Sequence, residues 1–122
     1  MDTLTALRDI IMDIMDVEGE AITEETYLVR ELGAESIDLL ELSVAINHHF
    51  RISVKDDDIY LRNFRFFLVE AERLMKEPAA YLLECFPFLT IERIAEMLGD
   101  LEAGPAIKIK DLISYIAFQR KG

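Results

Sequence analysis

The stretch from Ser36 to Phe50 constrains the fold more than any other, because it reads as one helix carrying two apolar stripes. At about 100° per residue, Leu39, Leu42, Ile46 and Phe50 gather on one side, while Ile37, Leu40 and Val44 gather nearly opposite. One stripe can face the core of a small bundle. The other has to be covered by more of the chain, or offered to a partner or ligand. Just ahead of this helix Gly33 turns the chain and delivers a serine, Ser36, to the helix start.

Helical spacing recurs elsewhere. Leu4, Leu7, Ile10, Ile11 and Ile14 predict an amphipathic helix over Thr3 to Asp16, ending near Gly19. Residues 17 to 35 follow neither the helical nor the strand period. Ile22, Tyr27, Leu28 and Leu32 are spaced to pin this loop to a core, and Thr23 and Thr26 offer turn chemistry. Arg51 to Lys55 reads as a short extended link. Asp56-Asp57-Asp58 then suits the start of a third helix, where the dipole favours acids. Without the glycine loop and distal glutamate of a calcium hand, the triplet is read as helix-start chemistry.

From Arg62 to Pro105 the composition changes, with five of the seven phenylalanines: Phe64, Phe66, Phe67, Phe86 and Phe88. Three helical pieces are predicted there. The first runs to about Glu77, the second from Ala79 to Phe86, and the third from Ile91 to Leu98 between Thr90 and Gly99. After Gly104-Pro105, a last amphipathic helix is expected over Asp111 to Arg120. The fold class is therefore all-α, and 122 residues suit one domain.

The net charge of -11 is unevenly placed: residues 1 to 61 hold 15 Asp and Glu against 4 Lys and Arg, and residues 62 to 122 hold 9 against 9. Such a field attracts basic partners, and argues against nucleic acid and anionic membrane surfaces. A single cysteine, Cys85, suits a reducing compartment, and neither the amino-terminal residues nor any apolar run suggests a leader or a membrane span. A cytoplasmic monomer is expected. His48 and His49 point about 100° apart on a helix and cannot share a metal as an i, i+4 pair would, so no metal site is assigned. His48 also lies roughly 18 Å along the helix from Ser36, too far to activate it as a nucleophile. No catalytic residues are assigned.

A serine at a helix start can cap a free backbone N–H. Glu or Gln is wanted three residues later to complete a capping box, and Leu39 stands there. The same position suits a phosphate ester, which the helix end favours by roughly 0.3 to 2 kcal/mol. The neighbouring carboxylates of Glu35 and Asp38 oppose it modestly, and are placed to hold a divalent metal or a basic modifying enzyme during the transfer.

At these residues the chain resembles the acyl carrier protein family. The family motif Gly-x-Asp-Ser-Leu is matched by Gly33-Ala34-Glu35-Ser36-Ile37. Ile22-Thr23, Leu28-Val29 and Glu31-Leu32 fit the family pattern before the serine; Asp38, Glu41-Leu42, Ala45 and Phe50 fit it after. The resemblance covers about residues 1 to 61 and returns at Ile107 to Ile116, leaving about 62 to 105 as a helical insertion within one acyl-carrier-like domain, residues 1 to 122. It implies a helical bundle in which Ser36 receives 4′-phosphopantetheine from coenzyme A through a magnesium-dependent transferase. Acyl groups would ride on the arm as thioesters, in a specialised lipid or secondary-metabolite pathway. It further implies that Glu35, Asp38 and Glu41 meet basic-surfaced acyl-processing enzymes, with Ile37, Leu40 and Val44 as apolar recognition positions.

The chain departs from the family pattern at Asn47-His48-His49, where acids are common, and at Arg51, where glycine is common. Three roles stay open for the insertion: added packing, lining of an enlarged acyl pocket by its aromatics, or docking of a dedicated enzyme. The second apolar stripe of the Ser36 helix either meets partners or packs beneath that insertion. A different function class, an unmodified interaction protein docking through this helix, also fits the residues.

Overall fold

The computed structural model describes residues 2–121, and among them the architecture is a helical bundle with no β-strand. Helix α1 (Thr3–Ile14) starts at Asp2, whose carboxylate accepts the Thr5 N–H at 2.7 Å. Ala6, Leu7 and Ile11 are its buried residues. It stops two residues short of the expected end, where Met15 turns extended.

The following loop is pinned as its apolar residues suggest. Ile22 and Leu28 are fully buried, and Thr26 accepts the Thr23 N–H and donates to the Ala21 carbonyl. Leu28 N–H donates to the Ile107 carbonyl at 3.0 Å and Ile109 N–H to the Thr26 carbonyl at 2.9 Å, so the loop is zipped to the chain entering the last helix. Such pairing satisfies backbone groups that a structureless loop would leave unpaired.

Helix α2 (Ser36–Phe50) has the expected bounds. Leu42 and Ile46 are buried, and Leu39 and Phe50 are half-buried against the same core, which makes this the inner stripe. The helix closes on Arg51 with φ at 56°, left-handed backbone that explains why glycine suits this position. The link to α3 (Asp56–Ile59) is tied down by Asn47, which accepts the Val54 N–H at 2.6 Å, and by the Tyr115 hydroxyl, which accepts the Lys55 N–H at 3.1 Å.

Helices α4 (Phe64–Arg73), α5 (Pro78–Cys85) and α6 (Ile91–Leu98) pack in sequence order before α7 (Ile109–Lys121). α4 ends four residues before the expected Glu77. Met75 takes φ 57°, and the Met75 and Lys76 N–H groups donate back to the Glu72 and Ala71 carbonyls. This is a Schellman closure with methionine where glycine is usual. α5 begins one residue earlier than expected because Pro78 sits comfortably in a first turn and Glu77 caps it. α7 begins at Ile109 rather than Asp111, because Asp111 accepts the Lys108 N–H at 2.8 Å and so closes the first turn from within.

Phe64, Phe86 and Phe88 are buried and form a chain of ring contacts reaching Tyr115 on α7, the last at 5.0 Å and edge-on. One apolar cluster includes Leu7 and Ile11 of α1, Leu42 and Ile46 of α2, Leu82 of α5, Ile94 of α6 and Leu112 of α7.

Candidate carrier site at the start of helix α2

Gly33 has φ 72°, the left-handed turn that swings the chain into α2. Buried Ala34 anchors that turn, and its N–H donates to the Leu28 carbonyl at 3.3 Å. Ser36 is then the first helical residue, and exposed.

It does not cap the helix, the ordinary role that a serine at such a position can fill. Glu35 is the N-cap, which makes Asp38 the third helical residue, and the two form a capping box. The Asp38 carboxylate accepts the Glu35 N–H at 2.9 Å. Because the acids perform the capping, the Ser36 hydroxyl is left without a hydrogen-bond partner among the described residues. Ser43 is the contrast: it is buried and donates to the Tyr60 hydroxyl at 2.8 Å.

The outer stripe of α2 is solvent-facing. Ile37, Leu40 and Val44 are 57%, 53% and 60% exposed, so the 62–105 segment does not cover them. Glu35 and Glu41 are exposed beside them, while Asp38 is half-buried by its capping role. All six expected partner-facing positions thus lie between the N-cap and the third turn of one helix, with acids around an apolar strip.

One turn beyond Ser36, Leu39 lines a cavity of about 360 Å³ bounded also by Tyr60, Phe64, Met97 and Ile107. Tyr60 braces α2 in a way that the sequence did not disclose. Its hydroxyl donates to the Leu39 carbonyl at 2.7 Å and accepts from Ser43, and burial pushes its pKa up to about 12. Of the five phenylalanines in the 62–105 segment only Phe64 reaches this cavity. Phe86 and Phe88 are core residues and Phe66 is exposed, so of the roles open to this segment, added packing accounts for Phe86 and Phe88. Arg30 donates to the Asp100 carboxylate and to the Gly104 carbonyl, joining the loop before Ser36 to the chain after α6. Nothing in the spacing of Arg30 signals that partner. His48 and His49 lie exposed at the far end of α2. No cluster of three or more metal-ligating side chains occurs among the described residues.

At the start of α2, then, the Ser36 hydroxyl is exposed and unengaged beside an acidic and apolar helix face. A family model described as "Phosphopantetheine attachment site" matches residues 5–63. The acyl carrier protein of Nitratidesulfovibrio vulgaris (strain DP4) is 40% identical over 52 residues, which is 43% of this chain and 68% of that protein. The acyl carrier protein of Phenylobacterium zucineum (strain HLK1) is 36% identical over 56 residues, 46% of this chain and 71% of that protein. No solved structure gives a significant match. The chain belongs to the acyl carrier protein family, whose cofactor is covalently attached 4′-phosphopantetheine. Such proteins are carriers rather than catalysts. No helix among the described residues is long and apolar enough to cross a membrane.

Proposed function

We propose that Ser36 is the residue that carries the 4′-phosphopantetheine arm, and that the chain presents acyl groups to enzymes of a specialised lipid or secondary-metabolite pathway. The observation that carries this reading is the free, exposed hydroxyl at the first position of α2, relieved of capping by Glu35 and Asp38. The group fits there. A phosphodiester at this point lies at the positive end of a 15-residue helix, whose unpaired N–H groups favour an anion. When bound, the arm supplies a thiol that holds an acyl group as a thioester.

The partners proposed are a phosphopantetheinyl transferase and basic-surfaced acyl-processing enzymes. Glu35, Asp38 and Glu41 would steer them, and Ile37, Leu40 and Val44 would form the apolar contact. The whole chain is read as one acyl-carrier-like domain, with residues 62–105 as an insertion. Its support is the single apolar cluster spanning α1, α2, α5, α6 and α7. A monomer working in the cytoplasm, on acyl cargo and without nucleic acid or membrane partners, fits the acidic first half.

Incubation with coenzyme A, magnesium and a transferase tests the assignment. A mass gain of one phosphopantetheinyl group that vanishes in Ser36→Ala is expected. No gain with any transferase, including that of the source organism, would favour an unmodified docking protein.

A further inference from the structure

The cavity beside Leu39 is apolar within and cationic at its opening. Tyr60, Phe64, Met97 and Ile107 are buried and form its floor. Arg62 and Arg65 line the same cavity but are exposed, so they stand where it meets solvent. No Asp or Glu lines it, in a chain with 24 acidic residues against 13 Lys and Arg.

Both arginines have donors to spare. Arg65 donates to the Leu101 carbonyl, and among the described residues no carboxylate pairs with it. Arg62 has Asp57 at 3.7 Å, with the two side chains 48% and 67% exposed, a loose surface pair. The floor, by contrast, offers no free polar group from Tyr60, whose hydroxyl is held by Leu39 and Ser43.

We propose that this cavity binds an alkyl chain ending in a carboxylate, with the chain on the apolar floor and the carboxylate against Arg62 and Arg65. A guanidinium presents paired N–H donors that match a carboxylate, and an alkyl chain gains from leaving water. The volume of about 360 Å³ is near the lower end of ligand pockets, room for one chain. The carboxylate belongs either to a free fatty acid or to the far end of a chain carried as a thioester. The second source rests on the Ser36 reading; the first does not.

Calorimetric titration of the unmodified chain with dodecanoate and with dodecanol, both below their aggregation limits, tests the first source. Dodecanoate is expected to bind about fivefold to tenfold more tightly, the size of a well-formed charged contact at a surface. The preference disappears in the doubly substituted Arg62→Gln, Arg65→Gln chain, whose melting temperature confirms that it folds. Ala106→Phe, which fills the cavity, weakens both ligands alike. In a second arm the chain is loaded with a dodecanoyl thioester or with the half-thioester of dodecanedioate. The carboxylated form melts higher, and the double variant erases the difference.

A preference in the first arm alone assigns a free acid, and in the second alone the far end of the cargo. Equal behaviour of carboxylate and uncharged chains in both arms, or a preference that survives the double variant, overturns the proposal. Failure of the chain to load counts against the Ser36 reading only, and the first arm then decides the cavity.

Discussion

Arg93 on α6 and Asp111 on α7 meet side-on inside the protein, Nε to Oδ1 at 3.0 Å and Nη2 to Oδ2 at 3.0 Å. Their side chains are 6% and 1% exposed, and each serves the backbone too: Arg93 donates to the Ala106 carbonyl and Asp111 accepts the Lys108 N–H. The pair therefore fastens the 62–105 segment to the last helix. Removing one partner from a buried pair strands the other charge, so Asp111→Ala should cost about 3–5 kcal/mol in a denaturant titration. The apolar double substitution Arg93→Met, Asp111→Leu should recover part of that loss. It cannot recover all, because the Ala106 carbonyl and the Lys108 N–H lose their partners.

Two left-handed positions respond oppositely to substitution. Gly33 at φ 72° has no atom within 4 Å of a would-be Cβ, so Gly33→Ala is strained by its backbone alone and should lose about 1–2 kcal/mol. Arg51 at φ 56° already bears that strain, and Arg51→Gly should gain up to about 1 kcal/mol. Paired denaturation curves read both signs.

Helix α2 separates stability from recognition. Leu42, 3% exposed, should cost about 2–5 kcal/mol as Leu42→Ala. Leu40→Ser and Val44→Ser, on the exposed stripe, should stay within about 0.5 kcal/mol of the parent while weakening transfer by partner enzymes. A melting curve and a transfer assay on the same samples distinguish these effects.

Much of the bundle was legible in the amino-acid order. Leu42 and Ile46 follow the helical period, and Thr90 and Gly99 bracket α6 where capping chemistry places them. The helix ends that depend on unusual backbone were not. Met75 closes α4 in a conformation that its side chain does not advertise, and Asp111 starts α7 from a position two residues inside it. The Ser36 motif was readable because its residues are consecutive. Tyr60, Arg30 and the cavity arginines were not, since they reach partners through tertiary contacts that leave no local spacing. The identity of the cap was not legible either: Glu35 takes that position, so Asp38 rather than Leu39 stands third in the helix.

Glu25 links the loop to α7 through Lys108 and Lys110, at 2.8 and 2.9 Å. Those hydrogen bonds hold its pKa down to about 2, below the ordinary 4.5. A depressed folded-state pKa means that the unfolded chain takes up the proton first as pH falls. The contribution of Glu25 is complete above about 4.5 and is lost toward about 2. Glu25→Gln should therefore lower the melting temperature at pH 7, and the gap from the parent should narrow below pH 4.5. Because the Glu25 side chain is 64% exposed, added salt should narrow it as well.

Peptide mapping of the chain isolated from cells that contain a cognate transferase tests the carrier assignment most directly. Of the four serines, Ser43 is buried and bonded to Tyr60, whereas Ser36 is exposed and free of structural duty. Fragment spectra should place one phosphopantetheinyl group on the peptide bearing Glu35-Ser36-Ile37, and on Ser36 within it. A fully unmodified chain, or the group on Ser53 or Ser114, would contradict it.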